Sequence, residues 1–260
     1  MDLFKHSYES LFGIERKCEI EIIIENDDHD GIPVVIAPGF LTEGDDDWLK
    51  YFKERIDAPL IYVKWRSSST FKLTASILTK SLVTLSLPGI NATKIITTGI
   101  GFFSDWSNAA KEASLAGKDL SRILNDIWDD DDKAIFIGHS LGVRVITEAM
   151  RTLSHDNVLT SIAIAGAINK DDYDARISAI KTKGKVQHSN FYSDNDSILT
   201  WLYRIGEFNF QKLPIGLVCS DLENVKNYKT HFGHNEYREK NIISKTIVKL
   251  YNNAVESLPK

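Results

Sequence analysis

The chain has little of what would place it outside the ordinary globular classes. Cysteine occurs only twice, at Cys18 and Cys219, which excludes a disulfide framework and a cysteine-rich zinc site and fits two thiols in a reducing compartment. Proline occurs six times, and no Pro/Gly/Ser-rich linker or internal repeat divides the chain. Basic residues are not in excess: 31 Lys and Arg stand against 36 Asp and Glu, giving a formal net charge of −5 and a pI of about 5.8. That balance lacks a nucleic-acid footprint and argues against a polybasic membrane-docking surface. Long apolar runs are missing as well. The longest stretches without a charge, residues 81–93 and 157–169, are 13 residues each, whereas a transmembrane helix needs about 20. Residues 1–10 carry Asp2, Lys5 and Glu9 and no apolar run, so they do not read as a secretory signal. The expected setting is cytoplasmic.

What remains is a chain of 260 residues, 43% hydrophobic and 26% charged, long enough for one large α/β domain spanning residues 1–260. Strand and helix patterns alternate. Residues 17–25 (KCEIEIIIE) are β-branched and partly alternating; 33–37 (PVVIA) are a continuous apolar run ending at Pro38-Gly39. Residues 60–63, 134–137 (AIFI), 159–165 (LTSIAIA) and 187–192 read as further strands. Helical patterns cover 45–55, 104–128, 141–153, 197–205 and 236–255. Alternation of this kind implies βαβ crossovers and a mostly parallel sheet covered on both faces.

Residues 67–103 break the rhythm. The segment is rich in Leu, Ile, Val and Phe, and between residues 74 and 104 its only charges are Lys80 and Lys94. It is expected to be a helical apolar insert. Two roles stand for it: a fixed layer on the domain, or a mobile cap that gates a pocket and meets lipid or a membrane surface. The acidic run 129–132 reads as solvated loop charge, because four adjacent aspartates do not surround an ion.

Gly138-His139-Ser140-Leu141-Gly142 is a G-x-S-x-G motif set between a buried strand pattern and a helix pattern. That is the setting of a nucleophile elbow, a turn so tight that side chains at the glycines would clash. A serine hydroxyl is a weak nucleophile unless a base takes its proton, so a histidine has to follow. His155 ends a helix and His188 lies in a strand; His231 and His234 share a loop before the last helix. His234, after a glycine and nearest that helix, is the preferred base, with His231 the alternative. An acid is expected after the sixth strand, where Ser193-Asp194-Asn195-Asp196-Ser197-Ile198 offers Asp194 and Asp196. Asp196 fits best as the acid, with a helix N-cap as its competing role. Two backbone donors would complete an oxyanion hole: the N–H of Leu141 and one from Pro38-Gly39-Phe40-Leu41. In that loop Phe40 is preferred, with the choice between Phe40 and Leu41 open.

GHSLG, the PGFL loop and the order Ser140–Asp196–His234 resemble the α/β-hydrolase superfamily. More closely, four segments resemble a hydrolase-like family that includes eukaryotic transmembrane and coiled-coil domain proteins. They are Gly39 to Glu43 with the acidic residues that follow and Trp48; residues 138–146; residues 192–199 with Leu202-Tyr203-Arg204; and Gly233-His234 with Tyr237. The likeness covers most of residues 34–252, with the apolar insert in the same place. It implies an α/β-hydrolase fold, ester hydrolysis through Ser140, Asp196 and His234, and no cofactor or metal. Two departures stand out: Pro-Gly replaces the superfamily's usual His-Gly pair, and this chain lacks long membrane spans, so a membrane location is not carried over. The resulting expectation is a serine esterase or lipase acting on acyl or lipid esters. The alternative is a non-catalytic binding or membrane-associating module on the same fold.

Overall fold

The apolar runs become the middle of a sheet. In a computed structural model, residues 4–5, 20–39, 47–65, 92–200, 212–239 and 241–258 are described; for 4–5, 92–107, 238–239 and 241–242 this covers the backbone alone. Eight strands pair in the order β1-β2-β4-β3-β5-β6-β7-β8. They are β1 (Phe4–Lys5), β2 (Ile20–Glu25), β3 (Val34–Ala37), β4 (Leu60–Trp65), β5 (Ala134–His139), β6 (Val158–Ile164), β7 (His188–Tyr192) and β8 (Val225–Lys229). β1 and β2 pair antiparallel and β2 joins β4 antiparallel; every pairing from β4 to β8 is parallel. The helices between are α1 (Asp47–Lys53), α2 (Ala92–Ile127), α3 (Gly142–Thr152), α4 (Lys170–Ser178), α5 (Glu236–Glu239) and α6 (Asn241–Glu256).

The period of two along each strand divides the core in two. In β5, Ala134 and Phe136 face one layer, with α2, α3 and α4, while Ile135 and Ile137 face the other, with α1 and α6. β3 does the same, Val35 and Ala37 on one side and Val34 and Ile36 on the other. A strand buried on both faces has no polar side to show, which is why PVVIA and AIFI are continuous rather than alternating. On α2, Ala109, Ala113, Ala116, Leu120 and Leu124 recur at helical spacing and are buried. The α3–α4 contact carries buried charge: Glu148 takes Arg151 through two bonds of 2.7 and 2.6 Å, and Arg176 of α4 approaches it to 3.4 Å. Removing one partner there would strand a buried charge.

The chain reverses direction across the sheet between β3 and β5: β4 lies on one side of β3, while β6, β7 and β8 lie beyond β5. A crevice at the carboxyl ends of strands at such a point is the usual ligand position in open α/β sheets.

Some elements differ from the sequence reading. The 36 residues of α2 form one helix from Ala92, so residues 92–103 of the expected insert are its first turns. Residues 67–91, the rest of that insert, lie outside the described residues, as do Cys18, Asp45, Asp46 and the end of the helix that begins at residue 197. At 1.5 Å per residue α2 is roughly 54 Å long, against about 20 Å for a six-residue strand. Ser121 and Asn125 of α2 bond Thr152 at the far end of α3. Gly117 of α2 lies against Val145 and Glu148 of α3, so the two helices run parallel and α2 draws level with the start of α3 roughly ten residues before Ser121; its earlier turns rise past the carboxyl end of the sheet. The sequence reading also has no counterpart for β1, α4 or β8, and its single last helix is α5 and α6. No helix among the described residues is long and apolar enough to cross a membrane.

Candidate active site

β5 delivers Ser140 into a turn that few side chains tolerate. Its φ is 54°, in the left-handed region, where a non-glycine residue carries about 1–2 kcal/mol of strain. Three bonds hold it there: Ser140 N–H donates to Ile164 O (2.9 Å), and Ser140 O accepts from Ala167 N–H (3.0 Å) and Val143 N–H (3.2 Å). The turn is closed by a near collision of chains. A Cβ at Gly142 would lie 2.0 Å from Ala37 O, and one at Gly138 would lie 2.9 Å from the Gly142 backbone. Both glycines of the motif are thus sterically required. α3 begins directly after, with Leu141 in its cap position and no side chain bonded there. The free N–H groups of that first turn lie at the Ser140 end of the helix, where they favour negative charge.

The loop after β3 runs against Ser140. A Cβ at Gly39 would sit 2.9 Å from Ser140 Cβ. Trp65, the last residue of β4, fixes the loop's entry by donating its indole N–H to Pro38 O (3.1 Å). Phe40 and Leu41, the alternative second donors, lie outside the described residues; the described part of the loop ends at Gly39.

His234 reaches Ser140 from a loop between β8 and α5. Ser140 Oγ–H donates to His234 Nε2 (2.9 Å), and His234 Nδ1–H donates to Asp196 Oδ2 (2.7 Å). Asp196 is completely buried and His234 is 8% exposed. The other oxygen, Asp196 Oδ1, accepts the Leu199 N–H (2.8 Å) at the start of the helix beginning at residue 197. The two roles weighed for Asp196 are therefore not exclusive: one oxygen caps and the other holds the imidazole. The loop carrying His234 is tied at both ends. Thr230 N–H bonds Tyr192 O (2.8 Å), Tyr237 OH and Thr230 Oγ are 2.7 Å apart, and Gly233 N–H bonds Glu236 Oε2 (2.9 Å). Burial pushes the Tyr237 hydroxyl well above its ordinary pKa.

The other candidates sit elsewhere. His231 is exposed, its carbonyl accepting from Asn195 Nδ2 (3.4 Å). Asp194 lies at the surface beside Lys229 (2.9 Å), whose hydrogen bond holds the carboxyl below its usual pKa. His155 pairs with Asp130 at 2.6 Å, and that contact lowers the Asp130 carboxyl. The acidic turn folds on itself instead of facing a ligand, with Asp129 N–H bonded to Asp132 Oδ2 (2.9 Å) and Asn157 Nδ2 bridging two of its carbonyls. Among the described residues no group of acidic, histidine and cysteine side chains is placed to hold a metal.

A buried Asp–His–Ser chain of this kind can orient an imidazole, withdraw a proton from a serine hydroxyl and return it to a leaving group. The family comparison covers the same residues: the model described as "Protein of unknown function (DUF726)" matches residues 66–250. The chain belongs to the DUF726 family. No curated protein matches it. Among solved structures, this DUF726 chain is similar to alpha/beta hydrolase domain-containing protein 10 from mouse, with a TM-score of 0.52, 10% identity and 100% of each chain covered. It is also similar to a CIB-like hydrolase from Thermoplasma acidophilum, with a TM-score of 0.50, 13% identity, and 99% and 100% covered. A third is the esterase RhEst1 from Rhodococcus sp. ECU1013, with a TM-score of 0.50, 10% identity, and 93% and 96% covered. Identities this low speak to architecture alone, and the architecture is the α/β-hydrolase fold.

Proposed function

We propose that this DUF726 protein is a serine hydrolase of carboxylic esters, with Ser140, His234 and Asp196 as its catalytic triad. The observation that carries the reading is the unbroken chain Ser140 Oγ–His234 Nε2 and His234 Nδ1–Asp196 Oδ2, at 2.9 and 2.7 Å, set at an elbow. His234 takes the hydroxyl proton as Ser140 Oγ bonds to the ester carbonyl carbon. Asp196 keeps the ring in the right tautomer and stabilises the imidazolium. The carbonyl oxygen becomes an oxyanion, met by the N–H of Leu141 and by Phe40 (or its neighbour Leu41) from the loop that Gly39 brings against Ser140. Collapse expels the alcohol, which leaves with the proton from His234. Water then repeats the sequence on the acyl-serine, releasing the acid and restoring Ser140.

The substrate class we infer is acyl or lipid esters. Its support is the composition of residues 67–103, which in the proposal form a cap over the carboxyl end of the sheet and a peripheral contact with membrane or lipid. Within the superfamily, the Gly233-His234 and Tyr237 match supports kinship with the family that includes transmembrane and coiled-coil domain proteins. A reducing, cytoplasmic setting fits Cys219, an exposed free thiol. The experiment is reaction with a fluorophosphonate probe followed by peptide mapping, alongside turnover of p-nitrophenyl esters. Labelling at Ser140 and loss of both signals in Ser140→Ala, with an unchanged melting temperature, is the expected result. An unlabelled, inactive wild type would instead make the protein a binding module on this fold. Liposomes should raise activity on long-chain esters more than on short ones; no difference would remove the lipid part of the reading.

A further inference from the structure

The geometry points to His139, the residue before the nucleophile, as a positioning residue that seats the base His234 over Ser140. This rests on the hydrolase reading above. The G-x-S-x-G turn leaves its second position open to many residue types, yet this side chain packs against His234 and beside the loop of Gly39. β5 alternates, so His139 continues the face of Ile135 and Ile137, toward α1. The residue is 4% exposed. The ring centroid lies 6.1 Å from Trp48 of α1 and 5.1 Å from the His234 imidazole, with planes tilted by 44° and 38°. Its Nε2 is 3.4 Å from the backbone carbonyl oxygen of His234, a long hydrogen bond. On its other edge, a Cβ placed on Gly39 would come within 3.0 Å of Nδ1. One imidazole is therefore packed between the oxyanion loop, the nucleophile strand and the loop of the base.

The need for such a contact follows from how His234 is held. It sits on a loop, 94 residues from Ser140. Asp196 fixes one ring nitrogen, and bonds of Thr230, Tyr237 and Gly233 tie the ends of the loop, but none of these reaches the backbone of His234 itself. A donor to the carbonyl of His234 and a ring against its face supply that hold. A carbonyl only accepts, so the proton of His139 belongs on Nε2. Small misplacements of a general base are costly, because the near-attack geometry is narrow.

Two substitutions separate this role from simple core packing. His139→Phe keeps a ring and removes the donor. His139→Gln loses the ring but offers an amide N–H near the position of Nε2. With short p-nitrophenyl esters, His139→Phe should lower kcat by about tenfold, with KM within about twofold of wild type, and should slow fluorophosphonate labelling in parallel. His139→Gln should recover most of that loss. Wild-type kcat in His139→Phe, or a Gln variant as slow as the Phe variant, would overturn the inference. Nitrogen-15 imidazole spectra of the unaltered protein give an answer that depends on neither folding of a variant nor turnover: His139 should be the Nε2–H tautomer, and an Nδ1–H tautomer rules the bond out. A wild type that fluorophosphonate does not label sinks the hydrolase reading itself; a labelled wild type with an unimpaired Phe variant sinks only the role of His139.

Discussion

Among the described residues two serine–histidine pairs are hydrogen-bonded, one just beyond the carboxyl end of the sheet and one within it. Ser140 and His234 meet at 2.9 Å; Ser161 of β6 and His188 of β7 meet at 2.8 Å. Both pairs are buried, yet their surroundings differ in every respect that matters for proton transfer. Ser161 lies within the ladder, in register with Phe136 of β5, whereas Ser140 is lifted off the sheet at φ 54° and opens a helix. His234 has a carboxylate on its second nitrogen, while His188 has no carboxylate partner among the described residues. Burial alone pushes the His188 imidazole down to about 4, so it resists the proton a general base must accept near neutral pH. Contact distance does not distinguish the pairs. Backbone strain, a helix start and a buried acid do.

The sharpest way to break this comparison is to remove each hydroxyl. Ser140→Ala should cost on the order of 10⁴-fold or more in ester turnover, while Ser161→Ala should leave the rate within about twofold. Equal losses would erase the distinction. Asp196→Asn comes next. Asparagine caps a helix as well as aspartate does, so melting should change little, whereas the rate should fall about 10³- to 10⁴-fold as the imidazole loses its orienting charge. A rate loss that merely tracks unfolding would reduce Asp196 to its cap. His234→Ala assayed beside His231→Ala checks the base, and activity lost only in the latter would reassign it.

Stability should report on the other pair. Folded His188 stays neutral down to about pH 4, while the unfolded chain takes up that proton below about 6.5. The unfolded state thus binds more protons between these values, so stability falls as pH drops through that window, by on the order of 3 kcal/mol at its acid end. Urea denaturation at pH 7 and pH 4 should show this component in wild type, and His188→Asn should lack it. The smallest expected effect is on Ser161→Ala, which leaves a buried imidazole nitrogen without its partner and should cost about 1–3 kcal/mol at neutral pH.

The elbow was legible because its chemistry is forced by space. Two chains pass so close at Gly138 and Gly142 that no other residue fits, and the motif survives as letters. The central strands were legible because burial on both faces leaves only apolar residues. Where elements meet water, the signal faded. α4 reads KDDYDARIS and buries only Tyr173 and Ile177, and its clearest marker is Asn169, whose side chain accepts the N–H groups of Asp171 and Asp172. β8 reads VKNYK, an edge strand whose lysines guard against further pairing and hide its strand character. The pattern divides α2 at residue 104, between a helical insert and a separate helix, because Gly99, Gly101 and β-branched neighbours favour helix poorly in isolation. Trp65 and His139 carried no spacing signal at all. Their contacts join segments far apart in the chain, and only the folded sheet brings those together.

The 94 residues between Ser140 and His234 also have a consequence in time. β6, α4, β7 and β8 all lie between the two in sequence. On a ribosome adding about 5–20 residues per second, roughly 5 to 20 seconds pass between synthesis of the elbow and synthesis of its base. Throughout that interval Ser140 is an ordinary alcohol. Under the proposed function, a nascent chain cannot attack the esters around it, and hydrolytic competence arrives only when the last crossover has docked.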